Sequence, residues 1–231
     1  MARRAQGTSA GLDRARIAAA AVALVDRDGL EHFGVRRLAQ ELGVDPMSIY
    51  HHIKGKAALL DAMSEAVLAE VAAAADDDAS RGWEDIARRT AHGYREMAYR
   101  HPRVFPLLVT RAQTSQVAIS ALERLVTAMR EADLPHQVVA DAPMVLFSFL
   151  NGHLLARTSG GPDGPSAVPV FEPASYPAMA ALTPLMAGFG SLTEFDRMLD
   201  TVLSGIKNRT ARQAPCRCPR QKLGGRINGL R

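Results

Sequence analysis

Between Tyr50 and Lys56 the chain places a phenol, two imidazoles and two ammonium groups in one short run, YHHIKGK. Hydrogen-bond donors and positive charge packed this closely suit phosphate oxygens and the edges of bases. Asp45, Pro46, Met47 and Ser48 stand just before it. A helix that opens with these four and ends in the cluster suits the major groove of DNA, with base edges at its start and phosphates at its end. Catalytic chemistry is sparse by contrast. His92 and Glu96 lie one helical turn apart, with His136 and His153 further on, and no nucleophile motif, phosphate loop or metal-ligand spacing accompanies them. The His–Glu pair reads as a surface contact. The expectation is a chain that is not an enzyme, with no catalytic residues, no metal and no cofactor.

The elements that position the cluster follow from local chemistry. Val35, Leu38, Ala39 and Leu42 repeat at i, i+3, i+4 and i+7, the apolar stripe of an amphipathic helix. Gly43 falls where a left-handed residue ends such a helix. Asp45 supplies an N-cap and Pro46 the first helical residue. Ile49 and Ile53, four apart, face inward. Alone, this spacing also describes an ordinary helical hairpin; the basic cluster turns the reading toward DNA. Upstream, Ile17, Ala21, Leu24 and Val25 predict a first helix, with Asp13 as N-cap, Leu12 and Ile17 as a hydrophobic staple, and Asp28-Gly29 as its stop.

SIYHHIKGK from Ser48 to Lys56, followed by Leu59-Leu60-Asp61, resembles the signature of the TetR family of bacterial transcriptional regulators. That resemblance implies a three-helix DNA-binding domain. Arg36 would reach a base edge or phosphate. Asp45, Pro46, Met47, Ser48 and His51 would face the groove and set specificity, while Tyr50, His52, Lys54 and Lys56 would hold phosphates. Arg37 is expected either to join them or to pair with acids on its own surface, and Arg3 and Arg4 to form a short basic arm. Gly34 replaces the Ser or Thr frequent before the second helix, which removes one hydroxyl contact to phosphate.

The rest of the chain reads as helices, so the expected fold class is all-α. A fourth helix runs from about Lys56 to Ala75, with Asp76-Asp77-Asp78 as a solvated corner. A fifth runs from Trp83 to just before Pro102. A short segment covers Val104–Val109, a seventh helix Ser115–Ala132 and an eighth Pro135–Arg157, with a kink at Pro143. A ninth spans Tyr176–Ala187 and a tenth Leu192–Lys207; the Gly- and Pro-rich stretch Thr158–Ala174 is the one long loop. The eighth and tenth helices are apolar on more than one side, which calls for deep burial or a second chain. The family resemblance implies the latter, a homodimer through the helices near 135–157 and 192–207.

Trp83, His101-Pro102, Thr110-Arg111, Tyr176-Pro177 and Phe195…Gly205-Ile206 make the body similar to the tetracycline-repressor branch of that family. The branch binds a small molecule among these helices, which implies Thr90, Tyr94, Leu107, Phe147 and Asn151 as cavity lining. Each of these residues also suits a plain core position. Where the tetracycline repressor carries its metal-binding histidine, this chain has Leu107 or Leu108, and its carboxylate falls near Ala156 or Arg157. A magnesium–tetracycline chelate therefore does not fit. With few charges on the expected lining, the effector should be largely apolar or aromatic.

Charge follows the same division. Residues 1–56 carry nine Lys/Arg against six Asp/Glu, residues 57–206 eleven against eighteen, and residues 207–231 eight and no acid. A basic head on an acidic body directs phosphate contact to the head. Three parts are thus expected: a helix-turn-helix DNA-binding domain at 1–56, a helical effector-binding and dimerisation domain at 57–207, and a disordered basic tail at 208–231. The tail could add non-specific phosphate affinity, and its Cys216 and Cys218 make neither a disulfide framework nor a zinc site. No signal-peptide pattern or run of 18 apolar residues stands out, so a cytoplasmic protein without a membrane partner is expected. Its function reads as a repressor that binds palindromic operator DNA as a dimer and is released by an effector; the alternative is a DNA-binding regulator with no small-molecule effector.

Overall fold

Asp13 opens helix α1 (Arg14–Asp28) by accepting the backbone N–H of Arg16 at 2.7 Å, and Leu12 is buried beside Ile17 as the staple requires. The computed structural model describes residues 11–75, 82–159, 171–186, 188 and 190–213, and no strand occurs among them. After a 3-10 turn at Leu30–His32 come α2 (Val35–Leu42) and α3 (Pro46–His52). Gly43 joins them with φ +65°, a left-handed conformation that a side chain would strain, and Val44 N–H closes back on Ala39 O at 3.0 Å. Asp45 caps α3 through Met47 N–H at 2.8 Å.

Helix α4 (Gly55–Ala75) packs on α1 on one side and on α5 (Trp83–Arg100) on the other, so it is the shared beam between head and body. The close α4–α5 crossing depends on Gly93, where a Cβ would meet Val71 Cγ1 at 3.3 Å. The body continues through α6 (Phe105–Thr110), α7 (Gln116–Glu131), capped by Ser115, and α8 (His136–Thr158), which runs on through Pro143. Phe105, Met97, Met129, Leu146, Leu150 and Phe195 fill the core between these helices.

Two helix ends differ from expectation. The ninth helix stops early: α9 covers Pro177–Leu182 and gives way to a 3-10 turn at Thr183–Met186, because Pro184 cannot donate the next helical hydrogen bond. The last helix, α10 (Leu192–Gln213), continues past Lys207 to the last described residue. Residues 208–213 are therefore helix rather than disordered tail, and Arg209 pairs with Asp141 of α8 at 3.3 Å. The basic arm at Arg3 and Arg4, the acidic corner Asp76–Asp78, most of the loop 158–174 and the tail from 214, with both cysteines, lie outside the described residues.

Candidate nucleic-acid interface and body cavity

Helix α3 is anchored by Ile49 and Ile53, 1% and 2% exposed, so the remaining side chains of this short helix must point away from the core. Arg36, Asp45, Met47, Tyr50, His51, His52, Lys54 and Lys56 are exposed, with Met47 62% open, while Pro46 and Ser48 are half-buried. All ten expected contact residues thus lie on the start of α2, on α3 and its flanks, or on the first turn of α4. Asp45 has a local task as well, because its Oδ1 is engaged in the cap. Arg37 takes the second of its two expected roles and pairs with Asp28 at 2.9 Å. Arg27 forks onto Glu41 with both contacts at 3.0 Å, tying α1 to α2, and this guanidinium holds the Glu41 carboxyl below the usual range.

The body grips the head at the C-terminal end of α1. His101 Nδ1 meets Asp26 Oδ2 at 2.6 Å while its Nε2 meets Glu70 Oε1 of α4 at 3.1 Å. Arg103 donates to the carbonyls of Asp26 and Arg27 at 3.1 and 2.5 Å, placing a cation at the negative end of the helix dipole. Burial pushes the Asp26 carboxyl above its ordinary value, and the His101 hydrogen bond works against that shift. In the sequence His101-Pro102 marks a helix stop and a family likeness but no ion pair; the partners of His101 lie 75 and 31 residues away, beyond any local pattern. His92, paired on paper with Glu96, instead meets Asp196 of α10 at 3.1 Å.

Helices α4 to α8 line a partly open cavity of about 340 Å³. Leu68, Val71, Ile86, Val117 and Leu122 belong to its apolar wall. Of the five residues expected there, Thr90, Tyr94, Phe147 and Asn151 line it. Leu107 does not: it is buried in the core, and Leu108 takes the wall position. One residue turns a helix by about 100°, so the one-residue ambiguity in α6 decided which leucine faces the hollow. Neither Leu107 nor Leu108 offers a metal donor. Tyr94 donates to Asn151 Oδ1 at 2.8 Å and stands edge-on to Phe105 and Phe147, with ring centroids 5.6 and 5.7 Å away. Burial raises its phenol pKa. Arg111, Gln113 and Arg124 also border the cavity and were not foreseen.

Away from the cavity, α8 exposes Val145, Gly152 and Ala156, with Met144 and Ser148 at the cavity's edge, while α10 exposes Met198, Thr201, Gly205 and Asn208. Among the described residues α8 is also the one helix long and apolar enough, by length and composition, to cross a membrane; 39% of its apolar window is buried within the chain. Small residues at turn spacing on both helices leave room for close helix packing.

A helix-turn-helix head carried by a helical body with a cavity among its helices is the architecture of a transcription regulator. The chain belongs to the tetR family of bacterial regulatory proteins: that family's model matches residues 17–63, and the tetracyclin repressor-like C-terminal domain matches residues 76–210. It is 29% identical over 227 residues to the HTH-type transcriptional repressor DrrR1 of Streptomyces coeruleorubidus, covering 89% of this chain and 81% of that one. A possible TetR family transcriptional regulator from Streptomyces coelicolor A3(2) superposes with a TM-score of 0.73 at 26% identity, covering 85% of this chain and 100% of the other. Streptomyces coelicolor ActR, solved in complex with actinorhodin, shares the fold with a TM-score of 0.75 at 22% identity, covering 89% and 100%.

Proposed function

We propose that this regulator is a homodimeric repressor that reads a palindromic operator with two copies of α3 and lets go when a small, largely apolar molecule fills the body cavity. The observation that carries the reading is the outward set on and beside α3, which leaves Met47, Tyr50, His51 and His52 exposed over the sealed Ile49 and Ile53. Met47, Ser48 and His51 lie where base edges would be met; Tyr50, His52, Lys54 and Lys56 lie where phosphates would be. The pair forms through the exposed faces of α8 and α10, which would space the two reading helices about 34–36 Å apart, one turn of the duplex. The apolar walls around Thr90, Tyr94, Phe147 and Asn151 support the effector role, as does ActR, of the same fold, in complex with actinorhodin.

The test is binding to duplexes selected from a random pool, with the inverted repeat beside the chain's own gene as the first candidate. An inverted repeat should emerge and be bound by a dimer. No preference over random competitor, or a single subunit at working concentration, would overturn the proposal. Lys56→Ala should weaken all sequences alike and flatten the salt dependence by about one unit, whereas Ser48 or His51 variants should change the preferred half-site. Thermal melting against a panel of apolar compounds tests the effector role, because a ligand of the folded state raises the melting temperature. No stabilisation by any of them would leave a regulator without an effector.

A further inference from the structure

We propose that the effector carries an acidic group, and that this group competes with Asp61 for Arg111. The inference rests on reading the cavity as the effector site. Among the described residues its lining includes two guanidiniums, Arg111 and Arg124, and no carboxylate. Against a guanidinium in an apolar-walled hollow, an anion is favoured over an amine. Arg124 also borders an adjoining hollow between α4 and α7, so it stands where the cavity opens outward.

Arg111 faces two ways. It borders the cavity, and its Nε and Nη2 also hold Asp61 Oδ1 at 3.1 and 2.5 Å, with Nη2 3.4 Å from Ala57 O. Both partners belong to the first two turns of α4, directly after the reading helix. The Asp61 side chain is 54% exposed and that of Arg111 30%, so water already weakens the pair. An anion bound against the cavity wall is less screened and can take the guanidinium over. The exchange removes the tie between α6 and the base of the head, which gives an acidic ligand a route to the DNA-reading helix that a neutral ligand of the same shape lacks.

Two fluorescent probes that differ by one sulfonate test the idea: 8-anilinonaphthalene-1-sulfonate and neutral N-phenyl-1-naphthylamine. Each is titrated into the full chain, with mutual displacement to establish a common site. The anionic probe should bind about fivefold tighter, about 1 kcal/mol at 1.4 kcal/mol per decade. Asp61→Asn should tighten the anionic probe by a similar factor and leave the neutral one unchanged. Arg111→Gln should cut the preference and remove the effect of Asp61→Asn. A merely structural pair would move both probes together. Equal affinities in the unaltered chain, or an Asp61→Asn effect on both probes or neither, overturns the proposal. If that variant does not fold, the probe ratios of the unaltered chain and Arg111→Gln decide. Binding of neither probe would instead count against the cavity as an effector site.

Discussion

In the head, polar side chains gather on the outside of α3 and its flanks while two isoleucines seal the core beneath; in the body, five helices turn Thr90, Tyr94 and Asn151 toward a hollow, with Gln113 from the loop between α6 and α7. The residues proposed to meet DNA touch little of the molecule that carries them, so contact chemistry and folding are separable there. The residues that line the cavity are also packing residues. Tyr94, 4% exposed, both lines the cavity and abuts Phe105 and Phe147. Changing what the head reads should be cheap in stability, and changing what the body accepts should not.

The largest effect should come from emptying the head's own core. Ile49→Ala is expected to cost about 2–5 kcal/mol, measured by denaturant unfolding, whereas Met47→Ala should stay within about 0.5 kcal/mol while altering operator preference. Retained binding of an apolar probe by Ile49→Ala would sharpen the separation of head from body; its loss would show one cooperative unit and break it. Tyr94→Phe comes next. It deprives Asn151 of a donor and should lower stability by about 1 kcal/mol and shift probe affinity together, as melting curves with and without probe would reveal. An affinity change with no stability change would break the claim that cavity residues serve both roles.

The smallest effect is a pH dependence. Burial, with Arg157 and Arg95 nearby and Glu194 opposing, holds the His153 imidazole below its ordinary value of 6.5. As pH falls through that value the unfolded chain takes up a proton that the folded chain still refuses, so stability declines as pH drops below about 7. His153→Gln should flatten that decline in melting temperature. An equal decline in the variant would assign the loss to other groups.

Local chemistry was legible in the sequence because its partners lie within a turn. Asp13, Gly43 and Asp45 each act on residues two to five positions away, and the structure uses each as its spacing predicts. The body cavity was legible in outline through residues on long helices, Thr90, Tyr94, Phe147 and Asn151. It failed at α6, only six residues long, where one step of register exchanges Leu107 for Leu108. The electrostatic ties were out of reach. Arg111 meets Asp61 across 50 residues of chain and His101 meets Asp26 across 75, and charged residues at such separations carry no periodic mark. For the same reason the arginines of the cavity escaped an expectation built on apolar lining.

The grip of His101 and Arg103 on the end of α1 bears on how portable this head is. Cut out alone, or grafted onto a foreign regulator, it would keep a part-buried aspartate stripped of its imidazole, and the last carbonyls of its opening helix would face solvent without their guanidinium. A chimera that preserves operator choice should therefore carry the 101–103 corner along with the reading helices, even though that corner lies nearly fifty residues beyond them in the chain.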